Sequence, residues 1–95
     1  MNLENPIYCM CGCGQYGHHW HHALIHRMKR FSKYLDDPRN MVFVNAEEHI
    51  SRKFDNHEWR VKFWKRQCLR YGKDKMMEWV NGLPEKLRHR LDFVS

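Results

Sequence analysis

The chain has 95 residues, 42% of them hydrophobic, with a formal net charge of +6. Its size allows one domain, 1–95, whose small core must be closed by a few large rings, here four Trp, five Phe and four Tyr. No apolar run reaches the roughly 18 residues of a membrane span, and Met1-Asn2-Leu3-Glu4-Asn5-Pro6 lacks the charged start and apolar block of a secretion signal. The expected setting is therefore cytoplasmic, with no membrane partner.

Ile7-Tyr8-Cys9-Met10-Cys11 reads as a short strand that Gly12, Gly14 and Gly17 reverse into an N-terminal hairpin, with His18 to Ile25 returning as an extended or bent segment. Cys9, Cys11 and Cys13 crowd into its turn, while Cys68 stands alone. Cys9 and Cys11 are too close in sequence for a relaxed disulfide, and a reducing compartment keeps such groups as thiols. Two readings stand for the three: a structural zinc site, for which a fourth ligand is missing, or partly buried reduced thiols. The return segment carries His18-His19-Trp20-His21-His22, far more imidazole than a core needs.

Residues Arg27 to Arg39 form a basic connector closed by Asp36-Asp37-Pro38, a turn signal. Met41 to Val44 is apolar and partly β-branched and predicts a buried strand. Asn45 is placed to cap a helix from Ala46 to Phe54, with Glu47 and Glu48 in the first turn, where the positive end of the helix dipole favours them. That helix carries His49.

The remainder predicts helices. Asp55 or Asn56 caps a segment from His57 to Tyr71, with Gly72 as its stop. Val61, Trp64, Cys68 and Tyr71 make one apolar stripe. Trp59 and Phe63 lie elsewhere on the wheel, either in the core or at an edge that meets a partner. Asp74 opens a helix through Val80, closed by Asn81-Gly82, and Pro84 opens a last one in which Leu87 and Leu91 stack. Between 52 and 75 nine basic residues face only Asp55, Glu58 and Asp74. Such a stretch is either a solvated basic helix face or a surface for a polyanion, bound through counterion release.

The order His21-His22, then Asn40, then an apolar strand, then His49 on a helix matches the motif of a ββα-metal site. On these residues the chain resembles the HNH endonuclease family over 7–57, and its helical extension over 58–95 is similar in style to small stand-alone HNH proteins of phages, which would act in the host cytoplasm. The resemblance implies an α+β fold: a small ββα-metal core with a short N-terminal hairpin and a helical C-terminal extension. It also implies roles. His21 and His49 would bind one divalent metal ion (Mg, Mn, Ni or Zn), His22 would act as general base, and Asn40 would hold the loop bearing His22 through side-chain bonds to backbone. The partner would be DNA, touched by Arg27, Arg52, Lys53 and Arg60. One site nicks one strand, so a double-strand break would require a homodimer.

The chain departs from the family pattern in places. Cys9 and Cys11 sit where a first zinc-knuckle pair commonly lies, but the second pair falls on Asn45 and Glu48. Where some relatives carry a further His one turn after the helical ligand, this chain has Lys53, and His57 follows two turns on. The register of the histidine pair stays open between His18-His19 and His21-His22, and a helical reading would pair His22 with His26. The departures also leave open a module that binds DNA or protein without cutting, such as an inhibitor of a host nuclease.

Overall fold

The computed structural model describes residues 7–94. The segment read above for a secretion signal, 1–6, lies outside them. Among the described residues no helix is long and apolar enough to cross a membrane.

The fold is α+β, built on a two-stranded antiparallel sheet. Strand β1 (His19–His22) pairs with β2 (Met41–Val44) in the register His19↔Val44, Trp20↔Phe43, His21↔Val42 and His22↔Met41. Because neighbouring side chains on a strand alternate between faces, His21, Val42 and Val44 turn inward and are buried, while Trp20 stays 45% exposed. His22 is the last residue of its strand. The connector between the strands is not irregular: it contains α1 (Ser32–Leu35) and single 3-10 turns at 29–31 and 38–40.

The N-terminal segment differs from the expected hairpin. Only Tyr8 and Tyr16 form a bridge, and β1 takes β2 rather than Ile7–Cys11 as its partner. Met10 instead donates its N–H to Phe43 O at 2.7 Å, covering the free edge of β2. Gly17 permits this closeness, since a Cβ there would lie 2.4 Å from the Phe43 ring.

Helix α2 (Ala46–Ile50) starts as expected, with the Asn45 side chain accepting from Glu47 N and Glu48 N. It stops four residues earlier than the expected Phe54. A continued helix would put Ile50 and Phe54 one turn apart on the same face, yet Ile50 is 77% exposed and Phe54 is buried. The break runs through Arg52, whose φ of 61° is the only positive value outside glycine among the described residues.

Helix α3 (His57–Tyr71) is capped by Asn56, whose side chain accepts from Trp59 N. The apolar stripe lies slightly off the expected one: Phe63, Trp64 and Gln67 are buried, and Val61, Cys68 and Tyr71 only partly so. The early end of α2 is the cause, because it delivers Phe54 to pack edge-on against Phe63 at 5.3 Å. Helix α4 (Lys73–Asn81) buries Met76, Trp79 and Val80, and Trp79 Nε1 donates to Tyr34 O at 3.0 Å. Helix α5 (Glu85–Arg88) and the residues after it close the core with Leu87 and Leu91.

Candidate functional site

A cleft of about 550 Å³ opens where the end of β1 meets α2, lined by His21, His22, His26, His49, Arg27 and Arg52 among others. His21 is its buried wall. It occupies an inward strand position where an apolar residue would ordinarily sit, against Phe54 and Phe63, with ring centroids 5.8 and 6.3 Å away. The His49 ring meets it edge-on at 4.9 Å. Two imidazoles sharing one ion with metal–nitrogen bonds of about 2.1 Å would place their ring centres about 5 Å apart, a separation this pair matches. His19, on the same face of β1, sits 5.9 Å from His49.

Burial, then the nearby His49, pushes His21 down to a pKa of about 4. The neutral ring is the form a metal binds. The same shift makes stability depend on pH. The unfolded ring titrates near 6.5 and the folded one near 4, so between these values the unfolded chain holds more protons. Stability is full above pH 6.5, falls as pH drops toward 4, and levels off below. The expected loss is on the order of 3 kcal/mol. Urea midpoints of metal-free protein at pH 7 and pH 4 check this, set against His21→Gln, whose curve should lack that component. Parallel curves for the two proteins would refute it.

His22 stands at the strand end, with Nε2 2.9 Å from Asp36 Oδ1. The loop that follows is fastened by Asn40. This fully buried side chain accepts from Leu24 N and Ile25 N, both at 3.0 Å, and donates to Ile25 O and Leu35 O at 3.0 and 2.9 Å. Gln67, buried on α3, backs the same turn by donating to Arg39 O at 3.0 Å and Met41 O at 2.9 Å.

A second cluster gathers around Glu48 of α2, the residue before His49. The sulfurs of Cys9, Cys11 and Cys13 and a carboxylate oxygen of Glu48 all fall within 4.8 Å of one another, close enough to hold a metal ion. Cys13 donates to Glu48 Oε1 at 2.8 Å, and the Cys9 and Cys11 sulfurs are 3.2 Å apart. Gly12, at φ 89°, allows the tight turn between Cys11 and Cys13. Its carbonyl neighbour on Cys11 accepts from Arg66 Nη2 at 3.1 Å. The Lys53 ammonium pairs with Glu48 and lies 4.0 Å from Cys11 Sγ. Burial, then the hydrogen bond with Cys9, raises the Cys11 thiol to about 12, while the bond to Glu48 raises Cys13. Glu48 in turn is held low, first by Cys13 and then by Lys53.

The other residues singled out in the sequence fall into place around these centres. Arg27 and Arg52 line the histidine cleft. Lys53 belongs to the thiol cluster instead, and Arg60 turns its guanidinium toward His26. His57 heads α3 away from the cleft, and His18 accepts from Ala46 N at 3.1 Å, steadying the start of α2. The segment from Ala23 to Met28 is not helical, so His22 and His26 do not form a helical pair. Sequence reasoning did not find Asp36, Gln67 or Glu48 as functional groups. Only Glu48 left a signal, as an acidic side chain where the resemblance expects a thiol. Comparisons with protein-family models, curated proteins and solved structures return no match.

Proposed function

We propose that the chain is a metal-dependent endonuclease of the HNH type, hydrolysing DNA phosphodiester bonds one strand at a time on a ββα-metal core. The single observation that carries this reading is the meeting of His21, His49 and His22 in one cleft, with Asn40 fastening the loop behind them. His21 and His49 would hold a divalent ion, which when bound would supply Lewis-acid charge for the phosphate and the departing oxygen. His22 takes the proton from the attacking water. With Nε2–H donated to Asp36, the neutral tautomer leaves Nδ1 as the accepting nitrogen, and the carboxylate steadies the imidazolium that forms. Arg27 and Arg52, on the rim, bind phosphate oxygens.

The thiol cluster serves in this reading as a structural zinc site with Glu48 as fourth ligand. The donor set suits the ion: three soft sulfurs and a carboxylate, all within 4.8 Å of one another, against the roughly 3.8 Å edge of a tetrahedron with 2.3 Å metal–sulfur bonds. Four negative ligands exceed the charge of one Zn²⁺, and Lys53 offsets part of the excess. Zinc would fasten the N-terminal loop to α2 and displace thiol protons as it binds.

Supercoiled plasmid incubated with Mg²⁺, Mn²⁺, Ni²⁺ or Zn²⁺ tests the activity. The expected result is conversion to the open circle with at least one of these ions and none with chelator, from protein that carries about one tightly held zinc per chain. Plasmid that is retarded but uncut with every ion would replace the enzyme by a DNA-binding module. Plasmid neither bound nor cut would remove both.

A further inference from the structure

Behind the histidine cleft lies a smaller one, about 230 Å³, whose polar lining is almost wholly basic. His26, His57, Arg60, His89 and Arg90 surround it, against one lining carboxylate, Asp92. Three separate parts of the chain bring the cationic groups together: the loop after β1, the first turn of α3, and the residues that follow α5. The local charges are poorly settled. His26 Nε2 is 2.5 Å from Arg60 Nη2 and 3.1 Å from Asp55 Oδ1. One ring nitrogen cannot at once accept from the guanidinium and donate to the carboxylate. An anion that takes the Arg60 N–H resolves the conflict, freeing His26 to donate to Asp55. The Arg90 guanidinium has no ion-pair or hydrogen-bond partner among the described residues. His57 is steadied by an edge-on contact with Phe93 at 5.6 Å, so its ring is presented rather than swept through solvent.

His26 lines both clefts, which makes them neighbours on either side of one ring. We propose that the second cleft is a subsite for a backbone phosphate of the nucleic-acid strand, next along from the phosphate at the histidine pair. This rests on the reading of the first cleft as a nuclease centre, and it gives the strand a direction: from His21 and His49, past His26, toward Arg60 and Arg90. Two guanidiniums offer the fork of donors that phosphate oxygens accept, and the imidazoles add ring N–H donors.

The test uses the full chain carrying His22→Ala, so that the strand is held and not cut. A fluorescent 20-nucleotide DNA is titrated across a salt series, with and without Arg60→Ala and Arg90→Ala together. The expected result is an affinity lower by on the order of ten-fold and a salt dependence shallower by about one to two charges. Arg90→Lys should restore the salt slope, because it retains the charge, but not the full affinity. In the same protein the DNA should shift the imidazole proton resonances of His57 and His89. Unchanged affinity and slope in the double variant, with wild-type protein nicking plasmid normally, would overturn the subsite and leave the nuclease standing. Loss of binding in the double variant, from a wild type that never nicks, would sink the nuclease and keep the subsite. Ring shifts as strong with inorganic phosphate as with DNA would make the cleft a free-phosphate site and overturn the assignment.

Discussion

His22→Ala is expected to lower metal-dependent nicking by about two to four orders of magnitude, the usual worth of a positioned general base, while leaving the melting temperature and plasmid retention near those of the wild type. The argument is geometric. His22 ends β1, so its side chain is released from strict strand alternation and reaches the same cleft as His21 on the preceding residue. Its Nε2 is fixed by Asp36, which sets the ring plane and the tautomer. The His22 side chain is 18% exposed on the cleft wall and lies outside the hydrophobic core cluster, so truncation removes the base and its bond to Asp36. Asp36→Asn keeps the contact but removes the charge, and should slow nicking by about ten-fold. His19→Ala addresses the other register of the histidine pair. If His22→Ala cuts within a few-fold of wild type and His19→Ala does not cut, the base has been misplaced.

Asn40→Ala should destabilise the protein by about 4 kcal/mol, measured by urea unfolding. Its amide makes four hydrogen bonds to backbone from a fully buried position. Truncation leaves Leu24 N and Ile25 N without acceptors, and each orphaned buried donor costs about 1–3 kcal/mol. Both carbonyls lose their donor as well. A small domain has about 5–15 kcal/mol in total, so the variant should unfold well below the wild-type midpoint and cut poorly even where it remains folded. Asn40→Asp retains the acceptor but deletes the two donors and buries a charge, and should be no better. A loss below about 1 kcal/mol would show that water replaces the amide and that the loop is held by other means.

The sequence carried the local features and left out the distant ones. The strand at Met41–Val44, the Asn45 cap and the Gly72 stop are each written in a few neighbouring residues, and each is found where expected. The end of α2 was not legible, because what breaks the helix is the pull of Phe54 toward Phe63 on the next helix, a packing contact that no helix-stop residue announces. The same cause rotates the buried face of α3. Cys13 lacked a visible partner for a related reason. Glu48 reads as a helix-start acid, and nothing local says that the N-terminal loop will fold back onto it. Asp36 was hidden by its own good explanation, since Asp-Asp-Pro already accounts for a turn without any bond to His22.

Glu48 and His49 are neighbours on a helix of five residues, one facing the thiols and the other the histidine cleft. A helix that short has no independent stability and takes its position from what grips its side chains. If Glu48 and His49 both hold ions, the two ions share one lever. Stripping the thiol side would then silence the other side without touching a catalytic atom, and a preparation made under chelating or oxidising conditions would look like a dead enzyme. Reloading in two steps separates the cases: zinc first, to set the helix, and then the ion that works.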